Sequence, residues 1–152
     1  MLIKINENGE IQTVIRQNEN IDGFIQVEDN EELIINPNKF KYINNNLVKK
    51  YALRHETNLN FNIKNNYYEL PIQTDGIISF SVRNENNELI LLNKIINLNM
   101  YLLFIGLYKT IQLNIIDGRG EITIKENIYN TFYLNIDNDY DIYFDGIIIK
   151  TI

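Results

Sequence analysis

The chain has no cysteine and no tryptophan, one histidine, two prolines and one alanine among its 152 residues. Each scarcity excludes something. Without Cys and with a single His, disulfide frameworks, thiol nucleophiles, zinc fingers and clustered imidazole metal sites are ruled out. With Ala52 as the sole alanine, against 29 Ile and 26 Asn, a mostly helical fold is close to excluded. Basic residues are also short: 14 against 20 acids, for a net charge of −6. A broad nucleic-acid-binding surface needs the opposite sign, so no nucleic-acid partner is expected. Long apolar runs are missing too. The longest, Met100 to Leu107, falls far short of the ~20 residues of a membrane helix, and the start, Met1-Leu2-Ile3-Lys4-Ile5, does not read as a signal peptide. No membrane association is expected.

What is present is 45% apolar residues, enough for a core, in one domain of ordinary size or one with a small appendage. Asn8-Gly9, Asp22-Gly23, Asp75-Gly76, Asp117-Gly118 and Asp145-Gly146 separate short runs rich in Ile, Leu, Tyr and Phe. Regular turn signals between short strands predict an all-β sandwich or barrel. Register sharpens the prediction. A two-residue turn at Asp145-Gly146 sets Phe144 against Ile147, Ile142 against Ile149 and Asp141 against Lys150. A loop over Asp117-Gly118-Arg119-Gly120 sets Ile115 against Ile122 and Leu113 against Ile124. A turn at Asn84-Glu85-Asn86-Asn87 sets Arg83 against Glu88 and Val82 against Leu89. A three-residue loop Glu7-Asn8-Gly9, with Gly9 left-handed, pairs Ile5 with Ile11 and Ile3 with Thr13. Residues 46–55 admit a helix with Leu47, Val48, Tyr51, Ala52 and His55 on one face. A hairpin of 40–43 with 47–49 through Asn44-Asn45-Asn46 is preferred.

These readings place a boundary near residues 50–57. The expected organisation is a small N-terminal β-hairpin module over 1–55, with a proline turn at Asn36-Pro37, followed by an immunoglobulin-like antiparallel β-sandwich over 58–152. Its candidate strands are 58–64, 67–72, 76–83, 88–93, 100–105, 109–116 with 121–125, and 131–136 with 140–151.

Charge is segregated. Residues 1–32 hold eight acids and two bases, whereas 33–55 hold Lys39, Lys41, Lys49, Lys50 and Arg54 with no acid. That basic segment is a candidate docking patch, either within the N-terminal module or against an acidic neighbour.

Candidate chemistry is thin. Asp137, Asp139 and Asp141 alternate as in the start of a calcium loop, but Ile142 stands where Gly is needed and Ile148 where Glu is needed, so they read as a solvated strand entry. His55, between Arg54 and Glu56, has no nucleophile turn or second His to work with and reads as a polar residue between modules. Asp117-Gly118-Arg119-Gly120 precedes a strand rather than a helix, which argues against a phosphate loop. No cofactor and no enzymatic activity are expected. The ten Tyr suit sandwich edges and subunit contacts, or an aromatic platform for a glycan.

Residues 34–50, from Ile34-Ile35-Asn36-Pro37 to Leu47-Val48-Lys49-Lys50, resemble a hairpin cassette near the start of small phage tail proteins from low-GC Gram-positive hosts. Residues 66–152, with Asp75-Gly76-Ile77-Ile78-Ser79-Phe80 and Tyr140-Asp141-Ile142-Tyr143-Phe144-Asp145-Gly146, resemble immunoglobulin-like modules of phage tail, baseplate and neck proteins. The resemblance implies a non-enzymatic virion component, assembled in the host cytoplasm. It would contact other virion proteins and copies of itself, the basic patch of one subunit meeting an acidic surface of the next. The alternative is a module that binds a host-surface glycan or receptor.

Overall fold

A computed structural model describes residues 1–17 and 19–152. In chain order its strands are β1 (Leu2–Ile5), β2 (Ile11–Ile15), β3 (Ile25–Gln26), β4 (Phe40–Ile43), β5 (Asn46–Lys49), β6 (Tyr51–Thr57), β7 (Asn62–Ile63), β8 (Tyr68–Leu70), β9 (Gly76–Arg83), β10 (Lys94–Leu102), β11 (Gly106–Ile115), β12 (Arg119–Ile124), β13 (Thr131–Ile136), β14 (Ile142–Tyr143) and β15 (Ile147–Thr151). One short helix, α1 (Glu31–Ile35), and a 3₁₀ turn, Pro37–Lys39, interrupt them. The fold is all-β, as expected. It forms two compact units, one of residues 1–51 and 140–143, the other of 52–139 and 144–152.

In the first unit β1 lies between β2 and β3. The Asn8-Gly9 turn is the expected three-residue loop: Gly9 sits at φ +80, and Asn6 N–H donates to Glu10 O at 3.0 Å. Ile5 faces Ile11, but a bulge then moves Ile3 from the expected Thr13 onto Val14. β4 and β5 form the preferred hairpin, Phe40 facing Lys49 and Ile43 facing Asn46, with Asn44 and Asn45 both at positive φ as a type I′ turn demands. Helix α1 was not expected. Asn30 Oδ1 caps it by accepting from Leu33 N–H at 3.1 Å, and Asn36-Pro37 ends it after five residues. Met1, Ile3, Ile11, Leu33 and Phe40 make this unit's core.

The second unit is a sandwich. One sheet has β9 between β12 and β6, and the other runs β11-β10-β13-β15-β8-β7. Alternate residues of β9 (Ile78, Phe80, Val82) and of β12 (Ile122, Ile124) are buried. So are Leu98, Met100, Leu113, Phe132, Leu134 and Ile149 of the second sheet. β9 is thus interior to one sheet, and β10, β13 and β15 are interior to the other. The sheets are not wholly antiparallel, because β8 runs parallel to β15.

The division between the units after Tyr51 falls inside the expected boundary region, within a seven-residue strand, β6, whose Ala52–Thr57 segment is laddered to β9 from Ala52–Arg83 to Thr57–Ile78. Three expectations need correction. The Asp145-Gly146 hairpin does not form. Gly146 has φ +80 while Asp145 stays out of the left-handed region, so a type I′ turn is impossible, and both edges of β15 are taken by β13 and β8. Asp117-Gly118 is a tight turn, with both residues at positive φ and Ile116 and Arg119 exchanging bonds of 2.9 and 3.1 Å. Beyond that one pair the strands part, β11 to β10 and β12 to β9. Finally, 88–93 is no strand. Arg83 meets Leu89 rather than Glu88, through an Asn87 at φ 60, and the regular strand starts only at Lys94.

Candidate functional site

The four lysines of the basic segment that belong to the first unit are occupied within it. Lys39 and Lys49 flank Glu32 on α1, at 3.6 and 2.8 Å. The Lys49 hydrogen bond, reinforced by the charges of both lysines, holds the Glu32 carboxyl below its ordinary range despite an opposing desolvation effect. Lys41 reaches Asp141 at 3.4 Å and lies 4.2 Å from the centre of the Tyr140 ring, while Lys39 lies 4.9 Å from that of Tyr143. Lys50 is only 4% exposed, and its N–H donates to Lys39 O at 2.8 Å. Arg54 stands exposed on β6 of the second unit. Of the two forms of docking open to this patch, the one on display is internal: the lysines tie α1, the β4–β5 hairpin and residues 140–143 into one unit.

The alternating aspartates diverge. Asp137 accepts from Asn99 Nδ2 at 2.9 Å, Asp139 pairs with Lys94 at 2.9 Å, and Asp141 serves Lys41. Among the described residues no group of three acidic, His or Cys side chains is placed to hold a metal ion.

His55, on β6, is half-buried. Its Nε2 lies 2.9 Å from the Tyr68 hydroxyl, and its ring meets Tyr68 and Phe144 edge-on. Desolvation lowers its pKa below the ordinary imidazole value. It borders a hollow of about 320 Å³, lined also by Lys64, Asn65, Asn66, Tyr67 and Asp145.

The most unusual surface lies elsewhere and was not singled out from sequence. β10 and β11 are joined by Leu103-Phe104-Ile105, with Phe104 at φ 65 and Ile105 N–H donating to Leu102 O at 3.1 Å. This tip is wholly apolar and in solvent: Phe104 is 99% exposed, Ile105 76%, Leu107 60% and Leu103 47%. Beside it a groove of about 530 Å³ is lined by Tyr101, Phe132, Tyr133 and Ile148 together with the tip. Polar residues or Gly usually fill a hairpin turn, where backbone groups face water. Three successive large apolar side chains there, with Leu107 just beyond Gly106, have a transfer cost that folding of this chain does not relieve. The signal was present in the sequence. Leu102 to Ile105 breaks the alternation of a strand inside the very run that had served only to exclude a membrane helix.

Behind the tip, Tyr108 donates to Glu126 Oε2 at 3.1 Å, and Lys109 also contacts that buried carboxylate. Its hydrogen bond to Glu126, reinforced by that carboxylate's negative charge, disfavours phenolate and raises the Tyr108 pKa. The stretch of β11 just behind the tip is thus anchored by polar bonds while the tip itself is bare.

No protein-family model, curated protein or solved structure matches the chain.

Proposed function

We propose that this protein is a non-enzymatic structural component of a virion, belonging to a tail, baseplate or neck, that docks onto the particle through protein–protein contacts. The observation that carries the reading is the exposed apolar hairpin tip Leu103-Phe104-Ile105. An apolar patch held on a rigid two-strand stem is an interaction surface: burying Phe104 alone is worth about 1.5–3 kcal/mol. Several titratable side chains are engaged inside their own unit, Glu32 with Lys39 and Lys49 in the first and Glu126 with Lys109 and Tyr108 in the second. The resemblance to phage tail and neck modules supplies the setting, assembly in the host cytoplasm. A second reading, binding of a host-surface glycan, is favoured by the hollow beside His55, where the Tyr67 ring, two Asn amides and a carboxylate converge.

The test is a producer strain from which the chain is deleted. Particles seen by electron microscopy should lack a defined feature and regain it when the protein is supplied. Complete, infectious particles without it refute the structural role. A positive glycan array with normal particles moves the assignment to the second reading.

A further inference from the structure

We propose that Asp22 is a site of spontaneous covalent modification, closing on the Gly23 nitrogen to a succinimide and reopening in part to isoaspartate, and that the fold reserves this chemistry to it. Five Asn-Gly or Asp-Gly pairs punctuate the chain, and all five are candidates by sequence, because a glycine leaves its own nitrogen unshielded. The structure separates them. Gly9, Gly76 and Gly118 are buried. The Gly9 N–H donates to Asn6 O at 3.0 Å, and the Gly118 N–H to Leu92 O at 2.9 Å. Gly76 opens β9 against Phe61, whose ring would lie 2.5 Å from a Cβ built there. Gly146 is half-buried under Tyr133, whose hydroxyl would stand 2.5 Å from such a Cβ.

Asp22-Gly23 differs on each count. Both residues are exposed, and nothing lies within 4 Å of a Cβ built on Gly23. They are the central pair of a turn between β2 and β3, closed by Phe24 N–H donating to Ile21 O at 3.1 Å. Gly23 has φ +81 and Asp22 is not left-handed, so the turn is of type II, and its closing bond does not use the Gly23 N–H. Among the described residues neither that N–H nor the Asp22 carboxylate has a partner. Nucleophile and electrophile are therefore adjacent, unengaged and in water. In the first step the carboxylate takes a proton from solvent, the Gly23 nitrogen bonds to Cγ, and the Cγ hydroxyl leaves as water with the N–H proton. Water then opens the five-membered ring. Attack at Cγ restores aspartate. Attack at the main-chain carbonyl leaves Gly23 linked through Cγ, with the former peptide carbonyl now a free carboxylate. The second product adds one carbon to the backbone of a turn that leads directly into β3, whose Ile25 and Gln26 pair with Ile3 and Leu2.

The experiment holds the full folded chain for weeks in oxygen-18 water at neutral pH and body temperature, beside a sample unfolded in guanidinium chloride, and maps both with trypsin. Each ring opening deposits one heavy oxygen. In the folded chain the peptide over 17–39, released by cleavage after Arg16 and Lys39, should split into two chromatographic peaks, and electron-transfer fragmentation should place the altered link at Asp22. Its rate should exceed those at Asp75, Asp117 and Asp145 by at least about tenfold, since those sites must open locally before they react. In the unfolded chain, where local sequence alone sets the rate, the four should agree within about threefold. Asn8, unchanged in the folded chain, should there deamidate faster than any of them. Asp22→Glu, whose ring would need six members, should leave the 17–39 peptide a single unlabelled peak with circular dichroism unchanged. A folded chain in which Asp22 stays intact, or in which another of the five pairs reacts first, overturns the inference. So does isoaspartate in that peptide that persists in Asp22→Glu. An excess at Asp22 of the same size in guanidinium overturns the role given to the fold.

Discussion

Replacing Gly118 by Ala should damage the sandwich far more than the loss of one turn residue suggests. Gly118 is the second residue of the Asp117-Gly118 turn, at φ +78, where β11 ends and β12 begins in the other sheet. Its N–H donates to Leu92 O at 2.9 Å, and its carbonyl accepts from Val82 N–H at 2.8 Å. A Cβ built there would lie 2.1 Å from Ile90 O, a backbone atom that cannot rotate away. Two costs add. The left-handed conformation costs a non-glycine residue about 1–2 kcal/mol, and an overpacked contact that shifts backbone costs about 1–3 kcal/mol more. The expected loss is about 3 kcal/mol, which lowers the melting point of a unit this size by about 10 °C or more. Asp117→Ala is the matched control. It shares the turn and a positive φ of 49, but a Cβ is already accommodated there, so only about 1 kcal/mol is expected. Urea unfolding of the three proteins, followed by tyrosine fluorescence and by circular dichroism, gives the comparison. If Gly118→Ala costs no more than Asp117→Ala, the packing of residues 90–92 over this turn is wrong.

Two further outcomes concern ionisation. The Glu32 carboxyl has a lowered pKa in the folded chain, so its contribution is present above the ordinary carboxylate value and is lost as pH falls through the folded one. Glu32→Gln should therefore be less stable than wild type at pH 7, by under ~1 kcal/mol for so exposed a pair, and the two unfolding curves should converge in acid; a constant gap down to pH 3 would contradict the pairing. His55 is the sole histidine, so its imidazole signals titrate alone in a proton NMR spectrum. Because burial lowers its pKa, the midpoint should lie below 6.5, and stability should fall as pH drops below that value; a midpoint above 6.5 would place His55 beside a carboxylate that the structure does not give it.

Much of the architecture was legible, for reasons that can be named. Turns carrying their own conformational demand were read well: Gly9 in its three-residue loop, and the Asn44-Asn45 pair that favours a hairpin over a helix. Failures came where local matching met competition from strands far away in sequence. Phe144 with Ile147 and Ile142 with Ile149 is a good local pairing, yet Ile149 pairs with Phe132 and Ile147 with Leu134 on β13 instead. Leu113 and Ile124 suit one another in pattern, as do Ile115 and Ile122, but each pair is split between two sheets in which its members are buried. A sandwich makes such errors natural, since its connections cross between layers and alternation alone does not tell a hairpin from a corner. Helix α1 escaped notice because five residues are too few to show a period, although the Asn30 cap was there to be read. The basic segment stood out as a run of unbalanced charge, but Glu32 and the distant Asp141 could not be matched to Lys49 and Lys41 from sequence spacing alone. The apolar tip was hidden by the assumption that long apolar runs matter only when they reach membrane length.

The central claim is that this chain's exposed surface serves to hold neighbours in a particle. Quantitative mass spectrometry of gradient-purified virions from a producer of this protein tests it most directly. A fixed small-integer or ring-sized copy number per particle, constant across gradient fractions, is the predicted result. Absence of the chain from particles, with its full amount left free in the lysate, would contradict the account.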